Sequence, residues 1–161
     1  MKYHFIFKNI LKPTLITIFI VACFIFAGYQ FEIFSSQRHG KVFTKAILGG
    51  EIIHITVADT QAKREQGLSG TKSLAKDSGM LFLFPRKDLY RFWMPDMNYP
   101  IDIIWVDSHR IVDIRQNVSN IFDPKHPIYY TPTDSADAVL EVNAGFVESH
   151  SIRVGDKAIY Q

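Results

Sequence analysis

Nineteen consecutive residues without a charge, Pro13 to Phe31, separate Lys12 from Glu32. Coiled into a helix at about 1.5 Å per residue, such a run spans roughly 28 Å, close to the hydrocarbon thickness of a bilayer. Lys2, Lys8 and Lys12 precede it, whereas Glu32 comes directly after it and Arg38 and Lys41 later. The positive-inside rule then keeps the N-terminus in the cytoplasm and exports the remainder of the chain. The chain divides accordingly into a basic cytoplasmic flank over 1–12, a transmembrane signal anchor over 13–34, a tether over 35–41 and an extracytoplasmic domain over 42–161. A cleaved signal peptide cut near Ala22 or Ala27 competes with this reading, as does a lipoprotein whose lipobox is Ile20-Val21-Ala22-Cys23. In each case the apolar run continues beyond the cut, through Phe24-Ile25-Phe26 or Tyr29-Gln30-Phe31, which favours the anchor.

Cys23 is the single cysteine. The exported part therefore has no disulfide, no thiolate ligand and no cysteine nucleophile, and its core alone must hold it together. Residues 1–40 hold four of the eighteen basic residues and one of the sixteen acidic ones, which leaves fourteen basic against fifteen acidic beyond them. No basic stripe suits a nucleic acid, so none is expected as a partner.

Along the exported part, Val42–Leu48 and Ile52–Ala58 flank Gly49-Gly50, a two-residue hairpin signal. Asp59 or Thr60 can cap a short helix through Gln66, stopped by Gly67. Met80–Phe84 reads as a buried strand ending at Pro85. Tyr90–Met94, Ile101–Val106 and Ile111–Val118 read as further strands, the last two joined by a turn at Asp107–Arg110. Ser119–Asp134 carries Pro124, Pro127 and Pro132, and is expected to be an irregular exposed loop. Ala138–Val142, a helical turn within Ala144–His150, and a last strand Ala158–Tyr160 complete the chain. The expected fold class is mainly β: a predominantly antiparallel sandwich or barrel of seven or eight short strands with one or two short helices.

Two acidic residues stand out against this pattern. Asp102, in Ile101-Asp102-Ile103-Ile104-Trp105-Val106, has apolar neighbours on both faces of its strand. Glu141, between Leu140 and Val142, poses the same question. A buried charge is costly unless it is paired, hydrogen-bonded, metal-bound or protonated. One expectation is that each meets an arginine (Arg64, Arg91 and Arg115 are available) or backbone amides and serves the fold. The other is that Asp102 and Glu141 converge in one pocket as an acid/base or ligand-orienting pair.

Phe92-Trp93-Met94-Pro95-Asp96-Met97-Asn98-Tyr99-Pro100 could wall a pocket or plug one end of the domain. Met80, Met94, Met97 and His126 are a thin basis for a copper(I) site, and the six histidines are scattered. Neither a metal nor a cofactor is expected.

Several segments taken together resemble a known family. They are Ala58-Asp59-Thr60 with Arg64-Glu65-Gln66-Gly67-Leu68; Gly79-Met80-Leu81-Phe82 through Phe84-Pro85; Phe92-Trp93-Met94 with Pro100-Ile101-Asp102-Ile103; and Leu140-Glu141-Val142-Asn143-Ala144-Gly145 with Val154-Gly155-Asp156. In order and spacing these resemble domain of unknown function 192 over about residues 43–161. The resemblance implies a compact, mostly antiparallel β domain, commonly secreted or membrane-anchored, with no assigned activity. It groups Arg64, Trp93, Met94, Asp102, Glu141 and Gly145 as motif positions. Members usually continue Phe-Trp-Met with Lys-Asn-Thr, where this chain has Pro95-Asp96-Met97.

The leading expectation is a non-enzymatic, membrane-anchored domain that binds a small molecule, a glycan or an envelope protein. Its site would be built from Arg64, Trp93, Met94, Asp102, Glu141 and Asn143. The alternatives are a hydrolase of cell-envelope carbohydrate working through Asp102 and Glu141, and a purely structural module.

Overall fold

The computed structural model describes residues 43–161. The basic flank, the expected anchor and the tether lie outside the described residues. Gly49 and Gly50 have φ of +56° and +87°, the left-handed pair that a two-residue hairpin turn requires, and they join β1 (Lys45–Leu48) to β2 (Glu51–Ala58). Leu48 faces Glu51 directly across the turn. Thr60 caps α1 (Gln61–Gln66) by accepting from the Lys63 N–H, and the Gly67 N–H closes the helix on the Lys63 carbonyl.

β3 (Ser78–Asp88) then pairs with β2 in parallel, whereas every other pairing is antiparallel. A parallel neighbour cannot be reached by a tight turn. The chain from Asp59 to Asp77, α1 included, therefore crosses one face of the sheet. β4 (Ile101–Asp107) and β5 (Arg110–Val118) form a hairpin turned by Ser108 and His109, both at positive φ. β6 (Ala136–Asn143), α2 (Phe146–Ser149) and β7 (Ala158–Tyr160) come next.

The seven strands form one sheet in the order β5-β4-β6-β3-β2-β1-β7. It is a curled half-barrel rather than a two-sheet sandwich. The turn that leads into β7 meets β5 at the opposite edge: the Ile111 N–H donates to the Asp156 carbonyl at 2.9 Å, and the Gly155 N–H to the Ile111 carbonyl at 2.8 Å. The curl encloses a core that includes Leu48, Ile53, Leu81, Ile104, Leu140, Val142, Phe146 and Ile152. The convex face carries a second cluster, including Leu68, Phe82, Met94, Ile103, Trp105 and Val139, roofed by the crossing segment and by the chain between β3 and β4.

Two strand expectations are corrected. β3 does not end at Pro85. It runs on to Asp88 through a bulge, with Leu83 paired to Ala138 and Asp88 next paired to Ala136. Inside the bulge no ladder bond is asked of the missing proline N–H, so the ring is tolerated there. Tyr90–Met94 is not a strand. It makes a single bridge, Phe92 with Tyr130, and is otherwise held by side chains such as the Trp105 indole, which donates to the Tyr90 carbonyl at 2.7 Å. Ser119–Asp134 is irregular, as its prolines require.

Candidate functional site

Asp102 and Glu141 do not meet. Asp102 pairs with Val142 and Glu141 with Ile103, and side chains alternate along a strand, so the two carboxyl groups point to opposite faces of the sheet. Asp102 faces the enclosed core and is fully buried. Its Oδ1 accepts from the Asn117 N–H at 2.7 Å and the Gly145 N–H at 3.3 Å, and its Oδ2 from the Val147 N–H at 2.9 Å. Asn117 and Gly145 both stand at positive φ, which turns their N–H groups inward. Among the described residues no arginine is involved. Asp102 ties the end of β5 and the start of α2 to β4, and the expected pairing with Glu141 in one pocket is overturned.

Glu141 faces the convex side and is 6% exposed. Among the described residues its carboxyl group has no hydrogen bond and no ion pair, and burial pushes it up to about 8 from an ordinary 4.5. At neutral pH it is therefore mostly a protonated acid with a free donor and free acceptors. It lines a cleft of about 310 Å³.

Local chemistry sets each wall of that cleft. α1 contributes Gln61, Arg64 and Glu65, and the turn after it Leu68 and Ser69. Arg64 is positioned by its Nη1, which donates to the Leu83 carbonyl at 2.8 Å, with the guanidinium 5.4 Å from the centroid of Phe84. Phe82 and Phe84 from β3, with Tyr90, Phe92 and Trp93 beyond it, give the cleft an aromatic lining. Phe84 stacks on Tyr90 at 3.5 Å, and Phe82 meets Phe92 edge-on at 5.0 Å. Trp93 stands 47% exposed at the mouth, stacked on Tyr129 at 5.7 Å with Phe122 edge-on at 5.5 Å. Arg91, also lining the cleft, lies 4.7 Å from the Tyr129 centroid.

The two covering segments are tied together. The Ser69 hydroxyl donates to the Pro95 carbonyl at 2.8 Å, the Gly70 N–H to the Asp96 carbonyl at 2.9 Å, and the Asn98 amide to the Thr71 carbonyl at 2.9 Å. The walls thus belong to one hydrogen-bonded frame.

Of the six expected site residues, Arg64, Trp93 and Glu141 line this cleft, while Met94, Asp102 and Asn143 do not. Met94 is buried in the convex cluster and borders a separate cavity with His126 and Tyr130, whereas Met97 lines the Glu141 cleft, so the two thioethers are not gathered in one cavity. The Asn143 amide holds the crossing segment, donating to the carbonyls of Leu74 at 3.2 Å and Ala75 at 2.9 Å. Arg115, a candidate partner for Asp102 or Glu141, pairs with Asp113 instead. Sequence reasoning missed Phe82 and Phe84 as lining residues, because a run apolar on both faces does not say which side is left partly open. Among the described residues no group of three or more His, Cys, Asp or Glu could hold a metal ion.

The chain is similar to a UPF0127 protein of Thermococcus gammatolerans, 28% identical over 109 residues, which spans 64% of this chain and only 63% of that protein. Among solved structures it is similar to a protein of unknown function from Novosphingobium aromaticivorans, at TM-score 0.66 and 28% identity over 73% of this chain and 84% of that one. It is also similar to a candidate transcription regulator from Sinorhizobium meliloti, at TM-score 0.64 and 26% identity over 75% of this chain and 98% of that one. Residues 44–159 match the model of DUF192, described as "Uncharacterized ACR", and the chain belongs to that family.

Proposed function

We propose that this protein is a small-ligand receptor of the cell envelope, whose extracytoplasmic β domain is held by an apolar anchor over 13–34 and binds its ligand in the Glu141 cleft. The observation that carries the reading is Glu141 itself. A carboxyl group on a residue only 6% exposed, with no partner among the described residues, costs stability. A purely structural role is poorly served by it, whereas a site awaiting a polar group accounts for it. The aromatic lining offers apolar contact, and Arg64 and Arg91 supply the few polar groups that such sites use for orientation. The carbohydrate-hydrolase alternative loses its second acid, because Asp102 faces the other side of the sheet and its oxygens are engaged by three backbone amides.

Trp93 is at the mouth and Trp105, the other tryptophan, is fully buried, so intrinsic fluorescence reports the cleft. The full chain, purified in detergent, is titrated with amino acids, short peptides, polyamines, neutral sugars and small carboxylic acids. A saturable response to one class, weakened at least tenfold in Glu141→Gln with a melting temperature unchanged at pH 5, is expected. Silence towards every class overturns the receptor reading. Protease accessibility of the domain in intact cells checks the topology, and full protection would overturn its export.

A further inference from the structure

The charges around the cleft are sorted by depth, and this sorting narrows the ligand. Glu141 lies at the floor, 6% exposed and unpartnered among the described residues. The residues facing it across the sheet ladders, Met80 on β3 and Ile103 on β4, carry no charge. The remaining charged or titratable groups of the lining are Arg64 and Glu65 on α1, and Tyr90 and Arg91 on the segment after β3. Glu65 accepts from the Gln61 amide at 2.7 Å, and the Tyr90 hydroxyl donates to the Arg86 carbonyl at 2.7 Å. Arg64 uses one of its five N–H groups on Leu83, and Arg91 has only the Tyr129 ring as a partner among the described residues. The two guanidinium groups therefore retain donors for an anion, while the floor offers an acid among aromatic rings, whose faces attract cations.

We infer that the cleft takes a zwitterionic small molecule, an amino acid or the end of a short peptide, with its ammonium group on Glu141 and its carboxylate at Arg64 and Arg91. This rests on the receptor reading and specifies its ligand class. Before binding, Glu141 carries its proton. When the ammonium group arrives, the O–H bond breaks, the proton leaves to solvent, and the resulting carboxylate accepts N–H bonds from the ligand. No other bond changes. A carboxyl group that burial has raised to about 8 gives up that proton readily near neutrality once a cation is beside it. The arginines at the mouth oppose a bare cation and favour one that trails a negative charge.

Calorimetric titration of the full chain in detergent separates the possibilities, using phenylalanine, phenethylamine and 3-phenylpropionate as probes at pH 7 in phosphate and in Tris. These buffers differ in ionisation enthalpy, so the difference in heat counts protons. Phenylalanine is expected to bind with release of close to one proton per ligand. Phenethylamine should bind at least fivefold more weakly with the same release, and 3-phenylpropionate should not bind. Glu141→Gln should weaken phenylalanine at least tenfold and abolish the release. Arg91→Ala should bring phenylalanine close to phenethylamine, whose own binding should strengthen as an opposing positive charge is removed. Binding of phenylalanine without proton release, or tighter binding of 3-phenylpropionate, overturns the inference, and the wild-type heats decide this even if a variant fails to fold. Failure of all three probes also overturns it. In that case a fluorescence response to any other of the classes above, neutral sugars included, would leave the receptor reading standing, and silence towards all of them would remove both.

Discussion

The carboxyl groups of Asp102 and Glu141 leave neighbouring strands in opposite directions, because Asp102 stands across from Val142 and Glu141 across from Ile103. One residue of offset separates a carboxyl group held by three backbone amides in the enclosed core from one without a hydrogen bond among the described residues, in a cleft. Substitutions at the two positions should accordingly behave as opposites.

Asp102→Ala strips the partner from three backbone N–H groups, two of them on residues at positive φ. The expected loss is at least about 3 kcal/mol, since each buried amide left without an acceptor costs about 1–3 kcal/mol. Urea denaturation measures it. A midpoint within error of the wild type would refute the role of Asp102 as a tie between β4, β5 and α2.

Glu141→Gln should leave stability at pH 5 nearly unchanged but alter its dependence on pH. The folded-state value is raised from 4.5 to about 8, so between those limits the native state holds a proton that the unfolded chain has lost. The stabilising contribution is complete below about 4.5, declines as pH rises, and is gone above about 8. The slope is at most about 1.4 kcal/mol per pH unit. Denaturation midpoints measured at intervals from pH 5 to 8 should fall in the wild type by more than in Glu141→Gln. Parallel curves would mean that the acid is ionised in the folded protein.

Gly79 has no room for a side chain. A Cβ there would lie 2.8 Å from the Glu141 carbonyl oxygen and 3.2 Å from Val142 Cγ1. Gly79→Ala should force β3 away from β6 beside the cleft floor, costing about 1–3 kcal/mol. Chemical denaturation reads the loss, and the Trp93 fluorescence response should weaken with it.

Asp113 secures the far end of the irregular loop. Its Oδ2 accepts from the Thr133 N–H at 2.7 Å, and its Oδ1 pairs with Arg115, which donates in turn to the Thr131 carbonyl at 3.2 Å. Asp113→Ala should cost about 1–3 kcal/mol through the orphaned amide and accelerate hydrogen exchange at Thr133. Unchanged exchange at that amide would show that the loop is held elsewhere.

Features whose causes lie within a few residues were legible in the sequence. Gly49-Gly50 announced its hairpin, the pair Asp59-Thr60 and Gly67 the ends of α1, and Asp107–Arg110 its turn, because each depends on local φ, capping or turn chemistry. The burial of Asp102 and Glu141 was legible too, from apolar neighbours on both sides. What their surroundings would be was not, since that depends on which residue of a distant strand lies opposite, a relation that no spacing along the chain encodes. Pro85 misled for a related reason. A proline ends a regular ladder, but whether a bulge accommodates it is decided by the partner strand. Tyr90–Met94 has the composition of a strand, yet its aromatics are spent on roofing the convex cluster, and composition does not distinguish the two uses.

The parallel pairing of β2 with β3, the one such pairing among the described residues, has a consequence for which positions of this chain can change. It obliges the backbone to make a detour between two adjacent strands, and that detour supplies one flank of the cleft while contributing little to the ladder beneath. Residues along it, Gln61 and Glu65 among them, line the cleft without joining the ladder, so their side chains can be exchanged while the sheet keeps its register. Sheet and cleft wall thus lie on separate stretches of chain, and Glu141, rooted in β6, is where they meet.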